Sequence, residues 1–192
     1  MIDWLISLDK KLFLFFHERI SNSLFDFLMP WLRNKYFWIP LYIYFIFLII
    51  YYFRKQSWMV IIAAFITVGI SDFISSGIFK PFFHRLRPCQ NSELVSHIHN
   101  IIICGSGFSF VSSHAANHFA VAVFLGIIFK NKINWLLGIL LIWAATISFA
   151  QVYVAYHYPS DIFGGAIVGI ISGLFVSYFL NYWLKKSSSH LL

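Results

Sequence analysis

Five stretches of this chain, 36–53, 58–79, 114–129, 133–149 and 162–184, hold a single Asp, Glu, Lys or Arg among them, Asp72. A backbone in hydrocarbon must satisfy its own hydrogen bonds. A helix does so within itself, and roughly 20 mostly apolar residues carry it across. Each stretch therefore reads as a spanning helix, the third and fourth being short. Trp38, Trp58, Trp135 and Trp183 lie near the ends, where interfacial aromatics belong. The fold class that follows is all-α, a polytopic membrane helix bundle with five spanning helices.

Composition agrees. The chain is 60% hydrophobic and 11% charged, with mean hydropathy +0.77, whereas a soluble domain is about half apolar and about a quarter charged. Its 192 residues fit one integral-membrane domain, 1–192. The net charge of +7 would raise nucleic acid as a partner in a soluble protein. Here loop Lys and Arg orient the chain in the membrane, so the expected partners are membrane lipids and no nucleic acid.

The first 34 residues differ. Leu5, Leu8, Leu12, Phe15 and Phe16 recur at helical spacing, with Asp9, Lys10, Glu18 and Arg19 interleaved. Segment 1–34 reads as an amphipathic helix lying on the membrane, with a second short helix over 25–32. A sixth span would have to bury Lys10 and Lys11. The bundle then occupies 35–184, and 185–192 is a polar tail.

Five spans can be threaded by charge. Arg54, Lys55, Lys130, Lys132, Lys185 and Lys186 fall on one side with no acid, which the positive-inside rule makes cytoplasmic. Three chemically distinctive segments fall on the opposite face, expected to be the periplasmic side of a bacterial inner membrane. Cys89 and Cys104 lie on that side in the loop 88–111. They are candidates for a disulfide, with two free thiols as the alternative.

The three segments share one theme. Lys80 and Arg87 supply positive charge; an Arg fork donates two parallel hydrogen bonds to phosphate. Ser112 and Ser113 precede an apolar run at a helix N-cap position, where unpaired N–H groups bind anions, and His114 follows in the first turn. His157 and Asp161 are four apart, so the carboxylate can accept one ring N–H and leave the other nitrogen basic. Together they form a basic clamp, a proton donor and an oriented nucleophile, the equipment for phosphoryl transfer through a phosphohistidine.

Other residues carry weaker signals. His114 and His118 have zinc-like spacing, but no third ligand has a clear place, so no metal and no cofactor is expected. Asp72 needs a partner inside its span, either as support for the site or through a hydroxyl such as Ser75 or Ser76. Gly165, Gly169 and Gly173 let a neighbouring helix approach, within the bundle rather than between copies. His97, His99 and His190 have no assigned role.

The set resembles the type-2 phosphatidate phosphatase family, membrane lipid phosphatases related to vanadium haloperoxidases. That family shows K-x6-RP, then PSGH, then SR-x5-H-x3-D. This chain shows Lys80-x6-Arg87-Pro88, then Val111-Ser112-Ser113-His114, then Ala150-Gln151-x5-His157-x3-Asp161. The resemblance implies that His157 is the nucleophile, Asp161 its partner and His114 the general acid. Lys80, Arg87, Ser112 and the backbone around Ser113 would bind phosphate without a metal. Gln151 stands where the family has Arg, which removes a cation from the clamp; Arg85 is an extra base that could replace it.

The resemblance implies a lipid phosphatase acting on undecaprenyl diphosphate, phosphatidate, phosphatidylglycerol phosphate or a lipid A phosphate. The alternatives are a lipid phosphotransferase using the same intermediate, and a degenerate lipid-phosphate binder.

Overall fold

The structure is a computed structural model and describes residues 2–99 and 101–189. His190 and the end of the polar tail lie outside the described residues. Among them every regular element is helical: α1 Ile2–Leu14, α2 Ser23–Leu32, α3 Ile39–Phe53, α4 Ser57–Asp72, α5 Lys80–Phe83, α6 Ser113–Ile128, α7 Leu136–Tyr153 and α8 Pro159–Ser189.

Pro40 fits the first turn of α3, where a missing N–H costs nothing. Arg54, at φ 51°, ends α3 and lets α4 fold back against it. α4 continues through a π-helical segment, Phe73–Phe79, into α5, so Lys80 stands on a continuous helical path. Three helical stretches are long and apolar enough to cross a membrane: Ile39–Gln90, which contains the α3–α4 turn, Leu136–Tyr153 and Pro159–Leu184. α6 is a shorter apolar helix.

α6 forms the centre. Ala115, Ala116, Ala120, Ala122 and Phe124 have no exposed surface, and α4, α7 and α8 pack around them. The α8 glycines make the closest of these contacts. A Cβ on Gly169 would stand 2.2 Å from the Ala116 carbonyl oxygen, and one on Gly165 2.5 Å from that of Ser112. The glycine stripe thus seats α6 on α8. The opposite surface is apolar and exposed at Phe47, Phe65, Ile142, Phe163 and Phe175, as lipid contact requires.

Two sequence-drawn boundaries move. α7 runs past 149 to Tyr153, so Gln151 lies inside its last turn. α8 begins at Pro159, so Asp161 lies in its first turn, where negative charge suits the helix dipole.

α1 has a second face that its amphipathic pattern did not announce. Leu5, Leu8, Leu12 and Phe15 are exposed, whereas Asp9, Phe13 and His17 are buried. The apolar stripe faces away from the protein, and the narrower stripe containing Asp9 docks on it. His17 closes this contact. Its Nδ1 lies 2.6 Å from the Tyr153 carbonyl, and its Nε2 accepts the His99 N–H at 3.0 Å. His97 pairs with Glu18 at 2.9 Å.

Candidate active site

The turn between α7 and α8 places the two halves of the histidine–carboxylate pair. Tyr156 and His157 both donate their backbone N–H to the Gln151 carbonyl, at 3.0 and 3.2 Å, fixing the turn to the end of α7. Ala155, at φ 60°, reverses the chain there. Asp161 follows one helical turn later, with its Oδ2 3.5 Å from His157 Nδ1.

Ser109 completes the pair, and nothing in its sequence context singled it out. Its hydroxyl donates to Asp161 Oδ2 and lies 3.3 Å from His157 Nδ1. A hydroxyl that donates its proton to a carboxylate presents only lone pairs to the ring. The proton is therefore on Nδ1, shared by Asp161 and Ser109, and Nε2 keeps its lone pair. The Tyr158 N–H also donates to Oδ2 at 2.8 Å, and Arg85 holds Oδ1 at 2.7 Å.

Nε2 faces the basic clamp. Arg87 Nη1 lies 3.5 Å from it and 3.1 Å from the Tyr156 carbonyl. The guanidinium rests 3.9 Å from the Tyr156 ring centroid. Burial pushes the His157 imidazole down to about 4; Asp161 opposes this, while Arg87 and Lys80 reinforce it. The ring is therefore neutral at pH 7 and its free nitrogen is a competent nucleophile.

His114 lies in the first turn of α6 within Coulombic reach of His157, His118, Arg33 and Lys80. The Ser112 hydroxyl accepts the Ala115 N–H at 3.4 Å and caps α6, while the Ser112 N–H donates to the Asp161 carbonyl at 3.0 Å. The cap thereby ties α6 to α8. The Ser113 hydroxyl pairs with that of Ser76 at 2.8 Å.

Arg85 is engaged by carboxylates on both sides. It bridges Asp161 and Asp9, the latter at 2.6 Å, and also donates to Ser160. With its charge matched by two carboxylates, it braces Asp161 instead of waiting for an anion. Gln151 is fully buried, and its Oε1 accepts the Nε–H of Arg33 at 3.2 Å.

Both ring nitrogens of His118 are engaged, Nδ1 with the His114 carbonyl at 2.7 Å and Nε2 with the Tyr42 hydroxyl at 3.1 Å. The Asp72 carboxylate accepts the Asn117 amide at 3.0 Å, while the Ser75 hydroxyl donates to the Asp72 backbone carbonyl at 3.2 Å. Cys89 and Cys104 are joined, with Cα atoms 5.9 Å apart. A cavity of about 500 Å³ opens beside the site. Ser113, His114 and Asn117 lie on its polar wall; Phe45, Ile49, Phe65 and Val121 on its apolar one.

Residues 57–185 match the PAP2 superfamily. The chain is 32% identical to a lipid A 4'-phosphatase of Bacteroides thetaiotaomicron over 187 residues, 96% of this chain and 81% of that one. It is 29% identical to a lipid A 4'-phosphatase of Porphyromonas gingivalis, across 97% of this chain and 80% of the other. The crystal structure of LpxE from Aquifex aeolicus superposes with a TM-score of 0.68 at 23% identity, covering 88% of this chain and 94% of that one. The chain belongs to the PAP2 superfamily. It is an integral membrane protein and a phosphoric-ester hydrolase of that family.

Proposed function

We propose that this phosphatase removes a phosphate from a lipid A-type glycolipid through a phosphohistidine. The observation that carries the reading is the neutral His157, held by Asp161 and Ser109 with Nε2 against Arg87, while a mostly apolar cavity reaches the site at Ser113 and His114. The similarity to two lipid A 4'-phosphatases over nearly the whole chain supports the substrate class.

His157 Nε2 attacks phosphorus in line, and the ester P–O bond breaks. His114 donates a proton to the departing oxygen. Lys80, Arg87 and the first N–H groups of α6 hold the phosphoryl oxygens as charge builds on them. Water then attacks phosphorus and gives its proton to His114. The P–N bond breaks, its electron pair returns to Nε2, and inorganic phosphate leaves.

The substrate's apolar tail enters the cavity while its phosphate stays at the polar end. We read five spans, α3, α4 with its continuation, α6, α7 and α8, with the site on the periplasmic side of an inner membrane. The absence of acids beside Arg54, Lys55, Lys130 and Lys132 supports that orientation. In this reading Asp161 holds the nucleophile, and Lys80, Arg87, Ser112 and Ser113 bind phosphate, as their motifs suggest.

The test is phosphate release by purified protein from lipid A 4'-phosphate, phosphatidate, phosphatidylglycerol phosphate and undecaprenyl diphosphate. Release is expected to be fastest from the lipid A substrate and absent in His157→Ala. Wild-type release no greater than that of His157→Ala on every substrate sinks the reading.

A further inference from the structure

Charge matching around the site is uneven, and the imbalance identifies a residue outside all three motifs. Arg85 is neutralised by Asp9 and Asp161. Lys80, Arg87 and Arg33 have no carboxylate partner among the described residues. Arg87 is buried and the other two are partly buried, and such cations without counterions are costly unless an anion joins them.

Arg33 follows α2, far from the motifs in sequence, yet it reaches Gln151 and Tyr156 beside the His157 turn. Its Nε–H donates to Gln151 Oε1 at 3.2 Å, and its guanidinium stands 4.3 Å from the Tyr156 ring centroid. Arg87 uses the same ring at 3.9 Å. Two guanidiniums thus stack on one aromatic side chain, and Arg33 is within Coulombic reach of both Arg87 and His114.

Orphaned donors point the same way. Gln151 has no exposed surface. Its carbonyl oxygen is taken by Arg33, and its Nε2 has no acceptor. Arg87 Nε is also buried without an acceptor. Fully buried amide and guanidinium N–H groups need acceptors, and a phosphate supplies several oxygens at once.

We propose that Arg33 is a phosphate-binding residue that supplies, from the N-terminal segment, the cation that Gln151 lacks at its own position. Gln151 orients Arg33 through Oε1 and offers its own N–H to the same anion. Arg33 spends Nε on Gln151 and a further contact on the Tyr156 side chain, and the remaining N–H donors of its five-donor fork can take a phosphoryl oxygen. The clamp is thus rebuilt from a different part of the chain, and the site is incomplete without residues 1–34.

The inference rests on the phosphatase reading, so two measurements separate them. The first is binding of inorganic orthovanadate, a phosphate mimic, to the full-length protein in detergent, which needs no turnover. The second is kcat/KM for lipid phosphate hydrolysis. Arg33→Met, which keeps an apolar stem, should weaken orthovanadate binding at least tenfold and lower kcat/KM by about 100-fold, the effect of removing one transition-state donor. Arg33→Lys, which keeps the charge, should recover part of both. Gln151→Arg added to Arg33→Met should restore at least a tenth of wild-type turnover, because the cation returns to the same place.

A merely structural role for Arg33 would lower the melting temperature and leave the orthovanadate affinity of the folded protein unchanged. Orthovanadate affinities of Arg33→Met and Arg33→Lys both within threefold of wild type overturn the assignment. If wild type binds orthovanadate in an Arg33-dependent way yet releases no lipid phosphate, the assignment stands and the lipid substrate reading fails.

Discussion

Asp9 on α1 and Ser160 on α8, 151 positions apart in sequence, are joined by two hydrogen bonds, from the Ser160 N–H to Oδ1 at 2.9 Å and from its hydroxyl to Oδ2 at 2.5 Å. Arg85 adds a third link to the same carboxylate and continues to Asp161. The N-terminal helix is thereby coupled to the group that orients the nucleophile.

Asp9→Ala should release Arg85 and Ser160 together. Leaving such donors unmatched costs about 1–3 kcal/mol, and a loosened Asp161 should lower kcat about tenfold with little change in KM. Thermal unfolding and phosphate release check this. A melting point and kcat equal to wild type would show that Asp161 needs no such brace.

Asp161→Asn should cost about 10³–10⁴-fold in kcat, the scale seen when the carboxylate that sets a catalytic histidine tautomer becomes an amide. Ser109→Ala should cost less, because Asp161 still accepts the Nδ1 proton. Steady-state rates for the two variants should fall in that order; a Ser109→Ala loss larger than that of Asp161→Asn would reverse the roles given to the two groups.

His157 should titrate near 4, below the usual value of 6.5, because burial disfavours its charged form. Nε2 is nucleophilic only when unprotonated, so activity limited by His157 persists as pH falls through 6.5 and is lost toward 4. Stability follows the same sign: the folded value lies below the unfolded one, so His157's contribution is complete above 6.5 and declines as pH falls below it. Imidazole NMR, with His157→Ala assigning the signal, should find a midpoint well under 6; a midpoint at 6.5 or above contradicts the described environment.

Reduction of the Cys89–Cys104 bridge reopens a loop with a sequence separation of 15, worth about 3 kcal/mol in the chain-entropy view. The returning limb also carries the Gly105 carbonyl that accepts Gln90 at 3.0 Å and the Ser106 carbonyl near Arg87. Reductant, or Cys89→Ser, should lower the melting temperature and weaken phosphate binding together. Equal melting curves with and without reductant would mean that the bridge adds nothing.

Val121→Trp would fill part of the apolar cavity from α6. Its loss of kcat/KM on a long-chain lipid phosphate should exceed its loss on p-nitrophenyl phosphate by about tenfold, since only the former needs the cavity. Equal losses would place the lipid tail elsewhere.

Much of this was legible in the chain itself, and the reason is local. His157 and Asp161 sit one helical turn apart, and Ser112 with His114 at a helix start, so their relation survives translation from sequence to space. Arg33, Asp9 and Ser109 meet the site only across separations of 118, 76 and 52 residues, which no short pattern encodes. The apolar stripe of α1 was legible as a lipid-facing one, but the narrower stripe through Asp9, Phe13 and His17 was not legible as a docking face. Periodicity marks the greasy face of a helix and is silent about a stripe that carries a carboxylate and a histidine. Gln151 could be seen as a departure from the family's motif, but its proposed compensation could not, because Arg33 belongs to a distant segment of the chain.

The glycines of α8 set the distance at which α6 rides over it. His114 and the helix-end N–H groups belong to α6, whereas Asp161 belongs to α8, so that contact works as a gauge for the span across the reacting phosphorus. A single methyl at Gly165 would stand against the Ser112 carbonyl and push the two jaws apart at their working end. On the proposed mechanism, the spacing of acid and nucleophile is set by residues that have no side chain and never meet the substrate.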